Sequence, residues 1–219
     1  MVKQIAVIGG GTMGRGIAYT AALSGFEVTL QDISNEAIDR AQNYIETLLK
    51  KSVEKGYIQS QQRERALGNL SYTTQIEEAV RKTDLMIEAA LEKMDLKIEI
   101  FKQADELAPA HAILATNTST MSPTEIAAST KRPDRCVAMH FFNPVHRMKL
   151  IEVIRGLDTS DVTVDEVKQV AEQMGKETVE VNEFPGFVTS RMNCLIGNEA
   201  MNMLMEGVAS AEDIDKALN

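Results

Sequence analysis

The chain has 219 residues, 44% apolar and 25% charged, a globular balance with length enough to bury a core without disulfide or metal staples. Acidic residues outnumber basic ones 32 to 23, a net charge of −9, which argues against a nucleic-acid or anionic-membrane surface as the main business. No apolar run reaches the ~18 residues of a membrane span, the opening MVKQIAVIGGG lacks a secretory signal pattern, and Cys136 and Cys194 form no CxxC pair. A reduced, cytoplasmic protein with no metal centre and no membrane contact is expected.

The first half alternates strand and helix. Lys3 to Ile8 is a short apolar run that stops at three glycines, as a buried parallel strand does on entering a turn. TMGRGIAYTAALSG follows with small apolar residues at helical spacing, closed by Gly25. Glu27 to Gln31 predicts the second strand, with Asp32 at its end. Residues 35–51 return to a helical period, with Ile38, Ala41, Ile45, Leu48 and Leu49 on one face. A short helix is predicted over 61–67, a weak strand over 70–72, a buried strand over 84–89 and a helix over 94–107. The strand AILAT (112–116) leads into the polar turn NTST, and Ser122-Pro123-Thr124-Glu125 supplies an N-cap, an N1 proline and the N3 glutamate of a capping box. Strands over 135–139 and 149–154 complete the pattern.

Strands separated by helices predict an α/β fold, a Rossmann-type doubly wound parallel sheet with helices on both faces. After Glu183-Phe184-Pro185-Gly186 the alternation stops and the text becomes helical, with a second helix start at Ser210. The expected division is 1–184 for the α/β domain and 185–219 for the opening of an all-α C-terminal domain.

Gly9-Gly10-Gly11-Thr12-Met13-Gly14 fits G-x-G-x-x-G. Alone that pattern is common, and a mere glycine turn beside a solvated aspartate would satisfy it. Here it follows a strand and opens a helix, so each glycine has a use: Gly9 for the tight turn, Gly11 for close approach to a pyrophosphate, Gly14 for packing helix on strand. Free N–H groups at the helix start face the phosphates. Asp32, about 20 residues along, is placed to accept hydrogen bonds from the ribose hydroxyls and to repel a 2′-phosphate. NAD is the expected cofactor, ahead of NADP.

His140 ends an apolar strand, and twelve residues on Glu152 interrupts the apolar run LIEVI. A carboxylate in a strand that should be buried needs a partner, and a histidine one strand away would serve, giving an oriented acid/base. The alternative is that Glu152 faces solvent and His140 merely ends a strand. Asn117 and Ser119 sit in the turn after AILAT, at a carboxyl end of the sheet where ligands bind, although turns use Asn and Ser without any ligand. His111 and His146 read as surface loop residues with no role.

Together GGGTMGRGIA, Asp32, EAALEKMDLK, ATNTST, HFFNPVHRMKLIEVI and FPGFVTSR resemble the 3-hydroxyacyl-CoA dehydrogenase family, and within it the short bacterial 3-hydroxybutyryl-CoA dehydrogenases, from the first strand to the last residue. The resemblance implies reversible, NAD-linked interconversion of a 3-hydroxyacyl-CoA and a 3-oxoacyl-CoA. It makes His140 the general acid/base, Glu152 its orienting partner and Ser119 a hydrogen-bond donor to the reacting oxygen. It places Asn117 and Asn143 beside the nicotinamide, and Glu92 and Lys97 against the cofactor's ribose region, although EKMDLK by itself reads equally as a solvated helix face. Lys50, Lys51 and Lys55 either meet the phosphates of coenzyme A or form an exposed helix face. The implied partners are an acyl-CoA and a second copy of the chain.

Two departures from the family pattern stand out. Where many members carry an asparagine that polarises the substrate, this chain has Ser190, so that role transfers only in weakened form. The family's C-terminal domain also continues past this point, so the apolar stripe Val188, Met192, Leu195, Ile196, Met201, Leu204 and Met205 is expected to lack part of its cover, to drive self-association, and to leave NAD binding better supported than turnover. The rival readings are a dehydrogenase of a non-CoA hydroxy acid and a dinucleotide-binding protein without turnover.

Overall fold

The computed structural model describes residues 2–218. Strand β1 (Gln4–Ile8), helix α1 (Thr12–Leu23) and strand β2 (Glu27–Gln31) open the chain. Then come α2 (Asn35–Glu54), α3 (Ser60–Gly68), β3 (Leu70–Thr73), α4 (Ile76–Val80), β4 (Leu85–Glu88), α5 (Met94–Leu107), β5 (Ile113–Thr116) and α6 (Pro123–Ala127). The second half carries β6 (Cys136–Phe141), β7 (Leu150–Arg155), α7 (Asp161–Gln173), β8 (Glu177–Asn182), α8 (Thr189–Met205) and α9 (Ala211–Leu218). Three of these lie outside the expected set. α4 is too short to show a helical period. β8 is an edge strand whose Glu177, Val179, Glu180 and Asn182 are exposed, so it has no apolar run. α7 did carry signals, a Ser160 cap that accepts from Thr163 N and valines 164, 167 and 170 on one face.

The strands form one sheet in the order β3-β2-β1-β4-β5-β6-β7-β8. Side chains alternate along each strand and divide the core in two. Ile5, Val7, Leu85 and Ile87 pack with α1, α2, α3 and α7 on one face, through Ile17, Ile45, Ala66 and Val167. Ala6, Ile8, Met86 and Leu114 pack with α4, α5 and α6 on the other, through Ala79, Phe101 and Ile126. Each buried Val, Leu, Ile, Met or Phe among these contributes roughly 1.5–3 kcal/mol.

A parallel sheet was expected, but one strand pair runs the other way. β6 and β7 pair antiparallel, with His140 opposite Glu152 and Phe141 opposite Ile151. The reason is connection length: only residues 142–149 lie between these strands, and a parallel crossover needs a dozen or more. Reversal puts the start of β7 beside the end of β6, at the same edge as the carboxyl ends of β1, β4 and β5. No helix among the described residues is long and apolar enough to cross a membrane.

Candidate active site

The strand order reverses between β1 and β4, which opens a crevice at the carboxyl ends of the strands. Gly9 begins the loop over this crevice with φ +107°, and a Cβ there would lie 2.7 Å from the carbonyl oxygen of Ala89, so both backbone shape and contact demand glycine. At Gly14 a Cβ would sit 1.8 Å from the Gly9 carbonyl oxygen, so α1 could not close on the loop. Gly11 has open space where its Cβ would be and provides no side-chain cap for α1. The first N–H groups of α1, from Thr12, Met13 and Gly14, therefore face a cradle that side chains leave clear, and this fits a dinucleotide pyrophosphate.

Asp32 is already in use within this cradle. Its Oδ2 accepts Gly10 N at 2.8 Å and its Oδ1 accepts Ser34 N at 3.0 Å. Each carboxylate oxygen has a second lone pair, so capacity for two ribose hydroxyls remains. The Asp32 carboxylate thus holds the glycine loop in shape.

On the other side of the crevice Lys97 is buried, not part of a solvated helix face. Its Nζ donates to Glu88 Oε1 and Oε2 at 2.8 and 2.9 Å and reaches Glu92 Oε2 at 3.1 Å. Glu88 is also buried and accepts Thr116 Oγ1 at 2.6 Å and Ala90 N at 2.8 Å. Glu92 accepts Thr118 Oγ1 and, at 3.0 Å, Ser119 N. Burial raises the Glu92 carboxyl, but the Thr118 hydroxyl and the Lys97 ammonium outweigh it and hold it below the usual carboxylate range. The cluster keeps one lysine against two carboxylates and pins the turn that carries Ser119. Glu88, Thr116 and Thr118 were not anticipated, although Glu88, like Glu152, is a carboxylate in a largely apolar strand.

His140 and Glu152 face each other across β6 and β7. His140 Nδ1 lies 2.8 Å from Glu152 Oε2, and Glu152 is fully buried. The imidazole packs against Phe142 and Phe187, with ring centroids 4.6 and 5.9 Å away. A carboxylate only accepts, so Nδ1 carries the proton and Nε2 is the nitrogen left for another partner. Asn117 Oδ1 accepts Phe141 N at 2.9 Å, which ties the turn after β5 to the end of the histidine's strand. Asn143 is exposed in the turn between β6 and β7, and Ser190 is half-buried in the first turn of α8.

Lys50, Lys51 and Lys55 are exposed on and just after α2, where Lys50 pairs with Glu54 at 4.0 Å. The structure brings none of them to the crevice cluster. His111 pairs with Asp84 at the opposite end of the sheet. His146 is partly buried against Tyr19, and burial together with Arg147 and Lys176 holds its imidazole below the usual value.

Comparison with known proteins places this geometry. Residues 4–184 match the model of the 3-hydroxyacyl-CoA dehydrogenase NAD-binding domain, and residues 186–219 match that of the 3-hydroxyacyl-CoA dehydrogenase C-terminal domain. The chain is 46% identical to a probable 3-hydroxybutyryl-CoA dehydrogenase of Bacillus subtilis, over 99% of this chain and 75% of that protein. It is 46% identical to 3-hydroxybutyryl-CoA dehydrogenase of Clostridioides difficile, over 98% and 76%. Among solved structures, (S)-3-hydroxybutyryl-CoA dehydrogenase from Ralstonia eutropha superposes with a TM-score of 0.93 at 40% identity, over 97% of this chain and 75% of that one. The chain belongs to the 3-hydroxyacyl-CoA dehydrogenase family and is an NAD-dependent oxidoreductase.

Proposed function

We propose that this protein interconverts 3-hydroxybutyryl-CoA and acetoacetyl-CoA, with His140 as general acid/base, Glu152 as its orienting carboxylate and Ser119 as donor to the reacting oxygen. The observation that carries this reading is the buried His140–Glu152 pair in the sheet whose carboxyl-end crevice also bears the glycine cradle. Bound NAD supplies the acceptor for the hydrogen that leaves C3 with its electron pair. In that direction His140 takes the C3 hydroxyl proton at Nε2, and Glu152 stabilises the imidazolium that forms. Ser119, fixed through its backbone N–H to Glu92, is the donor for the oxygen as charge develops on it, and Ser190 offers a shorter second hydroxyl from α8. In the reverse direction the imidazolium returns the proton. Asn117 and Asn143 are assigned to the nicotinamide side of the crevice, and Glu92 with Lys97 to the ribose side. Lys97 acts there through Glu92, since its ammonium is already surrounded by carboxylates.

The division at residues 184/185 belongs to the same reading, supported by separate family models on either side. Self-association through α8 is supported by the exposure of Met192, Leu195, Met201 and Met205, and a cytoplasmic location by two free thiols, Cys136 and Cys194.

The test is an NADH absorbance assay with acetoacetyl-CoA, longer 3-oxoacyl-CoAs and free acetoacetate. Turnover confined to the thioesters and strongest at four carbons is expected; equal use of free acetoacetate overturns the substrate assignment. His140→Gln should lose about 10²–10⁴ in kcat, with NADH affinity kept within a few-fold. Retention of more than about a tenth of wild-type kcat refutes the role given to His140.

A further inference from the structure

Glu152 is held from two directions. From β6 it takes His140, and from the start of α8 it takes three more donors. Oε1 accepts Val188 N at 3.3 Å and Thr189 N at 3.0 Å, while Oε2 accepts Thr189 Oγ1 at 2.9 Å and faces His140 Nδ1 at 2.8 Å. The carboxylate therefore does for α8 what a capping side chain normally does. The residue at the N-cap position, Val188, has no side chain able to do it. A threonine at a helix start commonly spends its hydroxyl on the next turn's N–H groups. The Thr189 hydroxyl instead donates back into the His140–Glu152 pair.

The linker is bent to make this possible. Gly186 has φ +77°, and a Cβ there would crowd Arg191 N at 3.1 Å. Phe187 has φ +50°, a left-handed conformation that a bulky side chain adopts only when its surroundings impose it. Its ring is buried against Ala138 and Ile154 and lies beside His140. With Phe187 seated there, the next two residues present N–H, N–H and O–H to one carboxylate.

We propose that Thr189 is a positioning residue for the reaction, acting through Glu152 on His140, an inference that rests on the reading of His140 as acid/base. The chemistry is specific. The hydroxyl and the imidazole N–H share Oε2, so the hydroxyl sets both where that oxygen sits and how much of its charge remains for the imidazole. Among the described residues, no charged group other than His140 hydrogen-bonds this carboxylate. The nearest charge on α8, Arg191, is stacked on the Phe184 ring at 4.7 Å, and on β8 Glu180 is engaged by Arg155 and Lys168.

The experiment compares Thr189→Val, close in shape but without the hydroxyl, with Thr189→Ser, which restores it, using NADH and acetoacetyl-CoA. Thr189→Val should lower kcat about tenfold, in line with losing one hydrogen bond to a charged group, with KM for both substrates changed less than about twofold. Thr189→Ser should recover most of that loss. The low-field proton NMR signal of the His140 Nδ1–H, identified by its absence in His140→Gln, should move in the valine variant and return in the serine variant. Wild-type kcat and an unmoved imidazole signal in Thr189→Val overturn the proposal. So does an equal loss in the valine and serine variants with the signal unmoved, the result of a purely structural role. If Thr189→Val does not fold, judged by NADH binding, Thr189→Ala against Thr189→Ser makes the same comparison with the same outcomes. Failure of the underlying reading looks different: His140→Gln would then retain turnover.

Discussion

At the scale of residues, Asp32 shapes the glycine loop by accepting Gly10 N and Ser34 N. The proposed reading gives it a second role, marking the ribose position by its charge. A 2′-phosphate would meet this carboxylate directly, so KM for NADH should be well below that for NADPH. Ile33, next in the chain, is 91% exposed, so an arginine placed there reaches solvent without disturbing the core. Asp32→Ser with Ile33→Arg should narrow or invert the preference, measured as the ratio of kcat/KM for the two cofactors. Because the serine replaces only part of the hydrogen bonding to the loop, NADH binding should weaken in the same variant. A wild-type protein that favours NADPH contradicts the assignment.

At the scale of elements, the strands are fastened at the end opposite the site by a second carboxylate. Asp84, just before β4, accepts Lys3 N at 2.7 Å and Gln4 N at 2.9 Å and meets His111 Nε2 at 2.9 Å, which locks the start of β1 to β4. Burial raises the Asp84 carboxyl, but the Gln4 and Lys3 N–H groups and the His111 imidazole outweigh it and hold it below its ordinary value of 3.8. A depressed carboxyl stabilises the fold above its ordinary value, and that contribution is lost as the pH falls through the folded value. Asp84→Asn should therefore lower Tm at neutral pH, with the gap to wild type closing as the pH falls below the ordinary value of 3.8. A gap that stays constant across that range would show that Asp84 stabilises by shape alone. The contrast with Glu152 is instructive. Both carboxylates organise backbone N–H groups, but Glu152 is fully buried beside a histidine, and Asp84 lies nearer the surface.

At the scale of the whole molecule, α8 has two sides to its role. Its first turn is anchored on Glu152, while Val188, Met192, Leu195, Ile196, Met201, Leu204 and Met205 are exposed along it. Covering such side chains contributes roughly 1.5–3 kcal/mol each, enough to drive association. Light scattering should give a mass above one chain, and Met192→Glu with Leu195→Glu should return it to one chain without loss of NADH binding. A wild-type protein that scatters as a single chain at tens of micromolar excludes this self-association.

Much of this was legible in the sequence, because its causes are local. The G-x-G-x-x-G loop, the Asp32 position, the strand-ending His140 and the carboxylate inside LIEVI each follow from spacing along one or two elements. The helix predicted over 35–51 follows from a repeating apolar face. What the sequence could not supply was pairing between distant segments. The direction of β7 depended on a connection too short to cross over, and only that reversal sets Glu152 opposite His140. Lys97 looked like part of a charged surface helix until β4 and β5 brought Glu88 and Thr116 around it. Thr189 carried no signal at all, since a threonine at a helix start is ordinary. Its hydroxyl acquires a meaning only when Phe187 is forced into a left-handed turn and the helix comes to rest on a buried carboxylate. The sequence by itself determined which chemical groups were present and which local shapes they favoured. Tertiary structure decided which of those groups share a hydrogen bond, because burial makes an unpaired charge costly and the partner lies on another segment of the chain.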